Sequence, residues 1–253
     1  MNRILGLLIA LVALWTSSIV SAQGYPTKPI RVIVPYQAGQ GTDEATRYLA
    51  EQLGRALGQA LVIENRAGAG GNIGAAEVAR AAPDGYTLLM GTNGTHVLNQ
   101  FLYPSMPFDP EKDFEPVALV STFPMVIPAN PNVPYKNMAE LLADAKARPD
   151  VVNVGLPSTT SRLVLELIQK QSGMVMRAVP YKGSGTSMTD LMGGQVLVAI
   201  DTASAARPFV ASGKLKALAV TSLKDSALLP GTPPAASEGL EGFQVVAWNG
   251  LYA

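Results

Sequence analysis

Cysteine is absent from the 253-residue sequence, and histidine occurs only once. Without cysteine the fold contains neither a disulfide nor a reactive thiol, and its stability must come from the hydrophobic core. Lys and Arg together number 19, as do Asp and Glu, which gives a formal charge of zero. Because there is also no basic patch, nucleic acid is not expected as a partner. Long runs of like charge, which are typical of disordered tails, are missing too.

Sequence motifs for catalysis and for metal binding are also missing. There is no H-E-x-x-H, no Cys/His cluster and no Asp-rich calcium loop to supply metal ligands. A G-x-S-x-G motif and a P-loop are absent as well. The single histidine, His96, either makes structural hydrogen bonds or contacts a ligand, and both roles stay open. The sequence therefore predicts no cofactor, no metal site and no enzymatic activity.

Residues 1–22 differ from the rest of the chain. Arg3 gives a short positive start, residues 4–15 are apolar, and small residues end the segment at Ala22. A membrane-spanning helix needs roughly 18 or more apolar residues, and this run is shorter. We predict a secretory signal peptide that is removed before Gln23. No cysteine follows it, which excludes a bacterial lipid anchor.

The segment 30–47 predicts a strand, a glycine-bearing loop and a helix. Residues 30–34 are apolar and β-branched, which favours a buried strand. Thr42 or Asp43 could then cap the helix with a side-chain oxygen. The first backbone N–H groups of such a helix lack partners, and its dipole is positive there, so the unit could bind an anion. The alternative is an ordinary turn between a strand and a helix, since short motifs mislead.

Similar strand–loop–helix units recur along the chain in two series. An apolar segment between them, residues 117–127, contains Pro124 and predicts two short extended pieces that cross between two lobes. Strands that alternate with helices indicate parallel sheets, in which ligands bind beyond the carboxyl ends of the strands. The polar loops at those ends, if they face each other, would form a cleft.

Several longer motifs resemble one known family. They are YPxKPI at 25–30, PY and GxGTD within 35–43, ENRxGAGGNIG at 64–74, APDGYT at 82–87, VPYKG at 179–183, LxGGQV at 191–196 and KLKALAV at 214–220. Together they resemble the Bug or TctC-type periplasmic solute-binding proteins of tripartite tricarboxylate transport systems.

The resemblance implies an α/β, two-lobed type II periplasmic binding protein fold, or Venus flytrap. Each lobe would have a parallel-type sheet flanked by helices, and two crossing strands would join the lobes. Lobe 1 would comprise residues 23–123 and 226–253, and lobe 2 residues 124–225. The family continues with helices that complete lobe 1, so the chain is expected to be truncated and to expose apolar surface there.

The resemblance further implies a monomeric protein in the periplasm that captures a small organic anion. The anion would be a di- or tricarboxylate, an acidic amino acid or an aromatic carboxylate, delivered to integral-membrane permease subunits. A second possibility is a sensor that presents the bound carboxylate to a two-component sensor kinase. A third, an enzyme on the same scaffold, is disfavoured by the missing motifs.

Residues on both lobes are implied to contact the ligand, although each could instead serve a capped helix or a satisfied turn. In lobe 1 they are Tyr36, Ala38, Gly39, Gln40, Gly41, Thr42, Asp43, Thr92, Asn93, Thr95 and His96. In lobe 2 they are Ser158, Thr160, Ser161, Tyr181, Lys182, Gly183 and Asp201.

The first loop departs from the family pattern at one position. Gln40 stands where the family usually has the middle one of three glycines, which places an amide at the cleft. No predicted loop has an arginine at its centre, although carboxylate sites often use one. We therefore expect backbone N–H groups at 42–44 and 161–163 to bind the carboxylates. The assisting hydroxyls would be those of Thr42, Thr95, Ser158 and Tyr181.

Overall fold

The computed structural model describes residues 24–253, so the predicted signal peptide lies outside the described residues. Within this range no helix combines the length and the apolar character that a membrane crossing requires. The strands are β1 Ile30–Val34, β2 Leu61–Asn65, β3 Thr87–Thr92, β4 Pro116–Ala129, β5 Asn153–Leu156, β6 Arg177–Pro180, β7 Val198–Ala199, β8 Asp201–Thr202, β9 Lys216–Val220 and β10 Val246–Tyr252. The helices are α1 Gly41–Leu57, α2 Asn72–Ala79, α3 Asn99–Leu102, α4 Met138–Ala147, α5 Thr159–Ser172, α6 Ser184–Met192 and α7 Ala203–Ala211.

The first sheet is built on β1, which pairs in parallel with β2 and β3. Strand β10 then lies antiparallel between β3 and β4, which gives the order β2-β1-β3-β10-β4. Successive side chains of β1 point to opposite faces: Ile33 packs with Ala75 of α2, whereas Val32 packs with Leu49 of α1. Both faces are therefore covered, as is usual for parallel strands. This sheet and its helices form lobe 1.

The second sheet has β5 at its centre, in parallel with β6 and β7. The end of β4 pairs antiparallel with β7, β8 and β9. Helices α4 and α5 bury Leu141 and Leu165 against one face, and α6 buries Leu191 against the other. This sheet and its helices form lobe 2. The predicted two-lobed α/β architecture is confirmed.

Strand β4 belongs to both sheets, and here one sequence prediction is wrong. We expected two short extended pieces around Pro124, but the chain forms one strand of 14 residues. Pro124 pairs with Val246 of β10, and the next residue, Met125, already pairs with Thr202 of lobe 2. The proline thus stands where the strand changes partners, a position at which a missing N–H need not interrupt a regular ladder.

Thr221 ties the two segments that connect the lobes. Its buried hydroxyl accepts the N–H of Met125 at 2.9 Å and donates to the carbonyl of Val245 at 2.6 Å. The backbone of Thr221 also bonds to Met125 and to Val245. One residue therefore joins β4 to the chain that enters β10.

We expect Thr221→Val to lower the free energy of unfolding by about 1–3 kcal/mol, because it leaves a buried donor and a buried acceptor without partners. Urea unfolding monitored by circular dichroism measures this change. Thr189→Val is the matched control, since its exposed hydroxyl bonds only to Gly185 within α6. If both variants lose the same free energy of unfolding, the buried hydrogen bonds of the Thr221 hydroxyl do not stabilise the protein in the way proposed.

Candidate functional site

The loops at the carboxyl ends of the strands meet between the lobes. Lobe 1 contributes the loop from β1 to α1 and the turn after β3, and lobe 2 contributes the starts of α5 and α7. Together with side chains of β4 and β10 they enclose a cavity of about 30 Å³, here called the inner cavity. It has room for about two groups of the size of a water molecule.

The loop from β1 to α1 is held by Asp43. Its Oδ2 accepts hydrogen bonds from the N–H of Gly39 and from Nε of Arg47, both at 2.9 Å. Asn65 donates to Oδ1, also at 2.9 Å. Burial by itself would raise the pKa of Asp43, but the hydrogen bonds from Arg47, Gly39 and Asn65 outweigh it and hold the pKa below its ordinary value. The carboxylate therefore fixes the shape of the loop.

Helix α1 begins at Gly41, and the prediction that Thr42 or Asp43 caps it is wrong. The capping position is Gln40, which makes no side-chain capping bond. The Thr42 hydroxyl instead donates to Oδ1 of Asn249 on β10, at 3.0 Å. The amide of Gln40 reaches across to lobe 2, where Nε2 lies 3.2 Å from Oγ of Ser184.

Asp201 is the acidic group of the inner cavity, and only 2% of it is exposed. Its Oδ1 accepts from Oγ of Ser184 at 2.8 Å and from the N–H of Thr202 at 2.7 Å. Burial raises the pKa of Asp201 to about 7, although the bonds from Ser184 and Thr202 partly oppose this. Within residues 24–253, Oδ2 has no hydrogen-bond partner, and neither does Oε1 of Gln40.

The two lobes are closed on each other around this cavity. Besides the Gln40–Ser184 bond, Oγ1 of Thr159 donates to Oδ1 of Asn99 at 3.0 Å. Gly41 lies so close to lobe 2 that a Cβ atom there would be 2.9 Å from Oγ1 of Thr202. The absence of a side chain at Gly41 thus permits the closed arrangement.

A second, larger cavity of about 780 Å³ lies beside the first and shares Tyr36 and Ser158 with it. We call it the outer cavity. Its lining includes the glycine-rich turn 67–71, the start of α5 and residues 180–182. Arg162 and Glu166 lie on its wall and approach each other at 3.8 Å, and Lys182 is exposed there. The outer cavity is therefore the more charged of the two.

Comparison with known proteins decides the family. The family model described as "TctC: Tripartite tricarboxylate transporter family receptor" matches residues 45–253. The chain belongs to the TctC family. The resemblance inferred from the motifs is thus confirmed.

Relatives of this TctC-family chain include the protein BugT of Bordetella pertussis (strain Tohama I), which is 39% identical over 237 residues, or 92% of this chain and 73% of BugT. The structure of R. palustris Rpa4515 with adipate is similar at a TM-score of 0.88 and 35% identity, over 90% of this chain and 77% of that one. MatC from Rhodopseudomonas palustris with bound malate is similar at a TM-score of 0.84 and 35% identity, over 90% of this chain and 79% of MatC.

The structure of this TctC-family chain brings half of the predicted ligand-binding residues together around the inner cavity. They are Tyr36, Gln40, Gly41, Thr42, Thr92, Asn93, Ser158, Thr160 and Asp201. Tyr181 and Lys182 line only the outer cavity. The remaining predicted residues line neither cavity: Ala38, Gly39, Asp43, Thr95, His96, Ser161 and Gly183.

His96 and Thr95 have partners within lobe 1. The Thr95 hydroxyl accepts the N–H of Thr92 at 3.0 Å and lies 2.9 Å from Nδ1 of His96. The imidazole ring stacks on Tyr252, with ring centroids 3.9 Å apart. Burial lowers the pKa of His96 to about 4, so the ring is neutral at physiological pH. Of the two roles left open for His96, the structure favours the structural one.

Two other predicted polar groups are also engaged by the protein. The Ser158 hydroxyl caps α5 by accepting the N–H of Ser161 at 3.1 Å, so this amide is not free for a ligand. The Tyr181 hydroxyl donates to Oδ2 of Asp190 at 2.8 Å. The predicted N–H site at 161–163 therefore loses its first donor.

Sequence reasoning missed five residues of the inner cavity. They are Phe123, Met125, Thr202, Ala247 and Trp248. Thr202 directly follows Asp201 at a strand end, and this position was the signal by which it could have been added to the predicted contacts. The other four come from the crossing strands β4 and β10, where an apolar side chain gives no signal that separates cavity lining from core.

Asp201 should make the stability of this receptor depend on pH. Its folded-state pKa is raised, so the folded state binds the proton more tightly than the unfolded state, and stability falls as pH rises from about 4 to about 7. We expect Asp201→Asn to be more stable than the parent at about pH 8, by on the order of 2–4 kcal/mol, and to lose most of this advantage near pH 4.

Urea unfolding of both proteins over this pH range gives the difference between their free energies of unfolding. Groups that both proteins share, such as His96, contribute equally to both and cancel in this difference. If the difference in free energy of unfolding between the two proteins does not change with pH, folding does not raise the pKa of Asp201, and the prediction is wrong.

Proposed function

We propose that this TctC-family protein is a periplasmic binding protein. It captures a small organic anion with at least one carboxylate between its lobes and delivers it to a permease of the tripartite tricarboxylate type. The observation that carries the proposal is the inner cavity, which polar loops of both lobes close at the carboxyl ends of their strands. The adipate and the malate named for two similar structures support a carboxylate ligand.

The protein captures the ligand by closing its two lobes around it. The inner cavity is too small for a whole dicarboxylate, so the lobes open to admit the ligand and close on it. Only the closed state lets residues of both lobes contact the ligand, and the ligand therefore shifts the population towards closure. The remainder of a longer ligand extends into the outer cavity, which adjoins at Tyr36 and Ser158.

The carboxylate is held without a basic side chain. Within the described chain, the lining of the inner cavity includes no Lys, Arg or His. It does include Gly41 at the start of α1 and Thr160 in the first turn of α5. Backbone N–H groups and the helix dipole favour an anion at such positions, and hydroxyl groups add hydrogen bonds worth roughly 1.5–3 kcal/mol each to a charged acceptor.

Three comparisons test this mode of binding. Conversion of the ligand carboxylate to a primary amide should weaken binding at least about a hundredfold, or ~2.7 kcal/mol. Thr160→Val should weaken it by about tenfold, because a buried hydroxyl is lost from the inner cavity. Lys182→Met should have less than about a threefold effect, since Lys182 is exposed and lines only the outer cavity.

Calorimetric titration with C4 to C6 dicarboxylates gives the affinities. Trp248, which lines the inner cavity and is the only tryptophan outside residues 1–22, gives a second readout by its emission. If Lys182→Met abolishes binding while Thr160→Val leaves it intact, a point charge holds the anion and the proposed mechanism is wrong.

Delivery to a permease is tested in the source bacterium. Deletion of the gene should abolish uptake of the ligand identified by titration, and a plasmid copy should restore it. If uptake persists while the transcriptional response to that ligand is lost, the protein serves a sensor kinase instead, which was the alternative prediction.

A further inference from the structure

Two hydrogen-bond acceptors, one in each lobe, belong to residues of the inner cavity and have no donor. They are Oδ2 of Asp201 in lobe 2 and Oε1 of Gln40 in lobe 1, and neither has a partner within residues 24–253. Both residues line the inner cavity and are at least nine-tenths buried. A buried acceptor that lacks a donor is unfavourable, so this arrangement indicates that a donor comes from outside the protein.

The hydrogen bonds that Asp201 and Gln40 make within the protein do not involve these two oxygens. Nε2 of Gln40 donates to Oγ of Ser184, and Oγ of Ser184 donates its single proton to Oδ1 of Asp201. The N–H of Thr202 also binds Oδ1. The chain of hydrogen bonds thus runs from lobe 1 to lobe 2 and satisfies Oδ1 twice, while Oδ2 and the Gln40 carbonyl oxygen are left over.

The negative charge of Asp201 indicates that the missing donor is positively charged. Asp201 forms no ion pair with any described residue, and no basic side chain lines the inner cavity. At about pH 8, where Asp201 is mostly ionised, a ligand carboxylate placed against it would add a second negative charge in a buried site, which is strongly unfavourable. A ligand group that is both positive and a multiple donor would satisfy both acceptors and balance the charge. A primary ammonium group has these properties.

We propose that the ligand carries a primary ammonium group as well as its carboxylate, and that Asp201 and Gln40 bind this ammonium from opposite lobes. The inference rests on the proposed function and specifies the class of ligand, an amino acid. Asp201 supplies the counter-charge, and Gln40 supplies a second acceptor when the cleft closes. Opening of the cleft separates the two residues and gives the ammonium access to them.

The test compares matched ligands that differ only in the amino group. The pairs are succinate and aspartate, glutarate and glutamate, and adipate and 2-aminoadipate, titrated calorimetrically at about pH 8, where free carboxyl and ammonium groups are both charged. In at least one pair the amino acid should bind at least about tenfold more tightly than the diacid. Asp201→Asn should remove this preference by weakening the amino acid at least about tenfold, whereas the diacid should bind at least as tightly as to the parent, because a like charge has been removed.

Asp225→Asn is the matched control, because it removes the same charge from an exposed position and should leave the preference intact. Malate tests a neutral donor in the same place, and it should bind more weakly than aspartate. Thermal melting establishes that each variant is folded.

Three outcomes would overturn the inference. If the diacids bind as tightly as the amino acids, or if Asp201→Asn keeps the preference, the ammonium site is wrong while the proposed function stands. If malate matches or exceeds aspartate, a neutral donor suffices and the charge argument fails. If no member of any pair binds, the protein does not bind C4 to C6 dicarboxylates, and the ammonium site fails with that part of the proposed function.

Discussion

The structure depends on one strand that two sheets share. Residues 116–124 of β4 pair with β10 in lobe 1, and the following five residues pair with β7, β8 and β9 in lobe 2. Because a strand is continuous and stiff, each lobe is held at a fixed place along it, and Thr221 ties the returning chain to the same point. The inner cavity lies over this junction, and Met125 of β4 forms part of its lining.

Polar groups divide into those that build the loops and those that face the cavity. Asp43, Ser158 and Tyr181 all lie in loops at strand ends, yet their oxygens bond to neighbouring protein groups. Asp201 and Gln40 differ because each keeps one oxygen without a donor. The distinction is physical: a loop must satisfy its own backbone before any remaining group can serve a ligand.

The same distinction explains how much the sequence predicted. Alternating apolar segments and turn residues predicted the two lobes, because such patterns reflect burial, which is local in sequence. The loops at strand ends were also predicted, since topology alone places ligands there. The sequence could not tell that Thr95 bonds to Thr92 or that Gln40 reaches Ser184, because these contacts depend on side-chain directions and on lobe closure. The continuity of β4 through Pro124 was missed because a proline usually ends a strand.

The position of β10 has a consequence for the order in which the chain folds. In lobe 1, β10 lies between β3 and β4, although it follows all of lobe 2 in the sequence. During synthesis β3 and β4 therefore emerge long before the strand that joins them, whereas lobe 2 meets most of its partners soon after they are made. Contacts between residues far apart in sequence form slowly, since a long loop must close first. Lobe 2 can thus be structured while β3 in lobe 1 still has an unpaired edge, and such an edge is a place where another chain can pair.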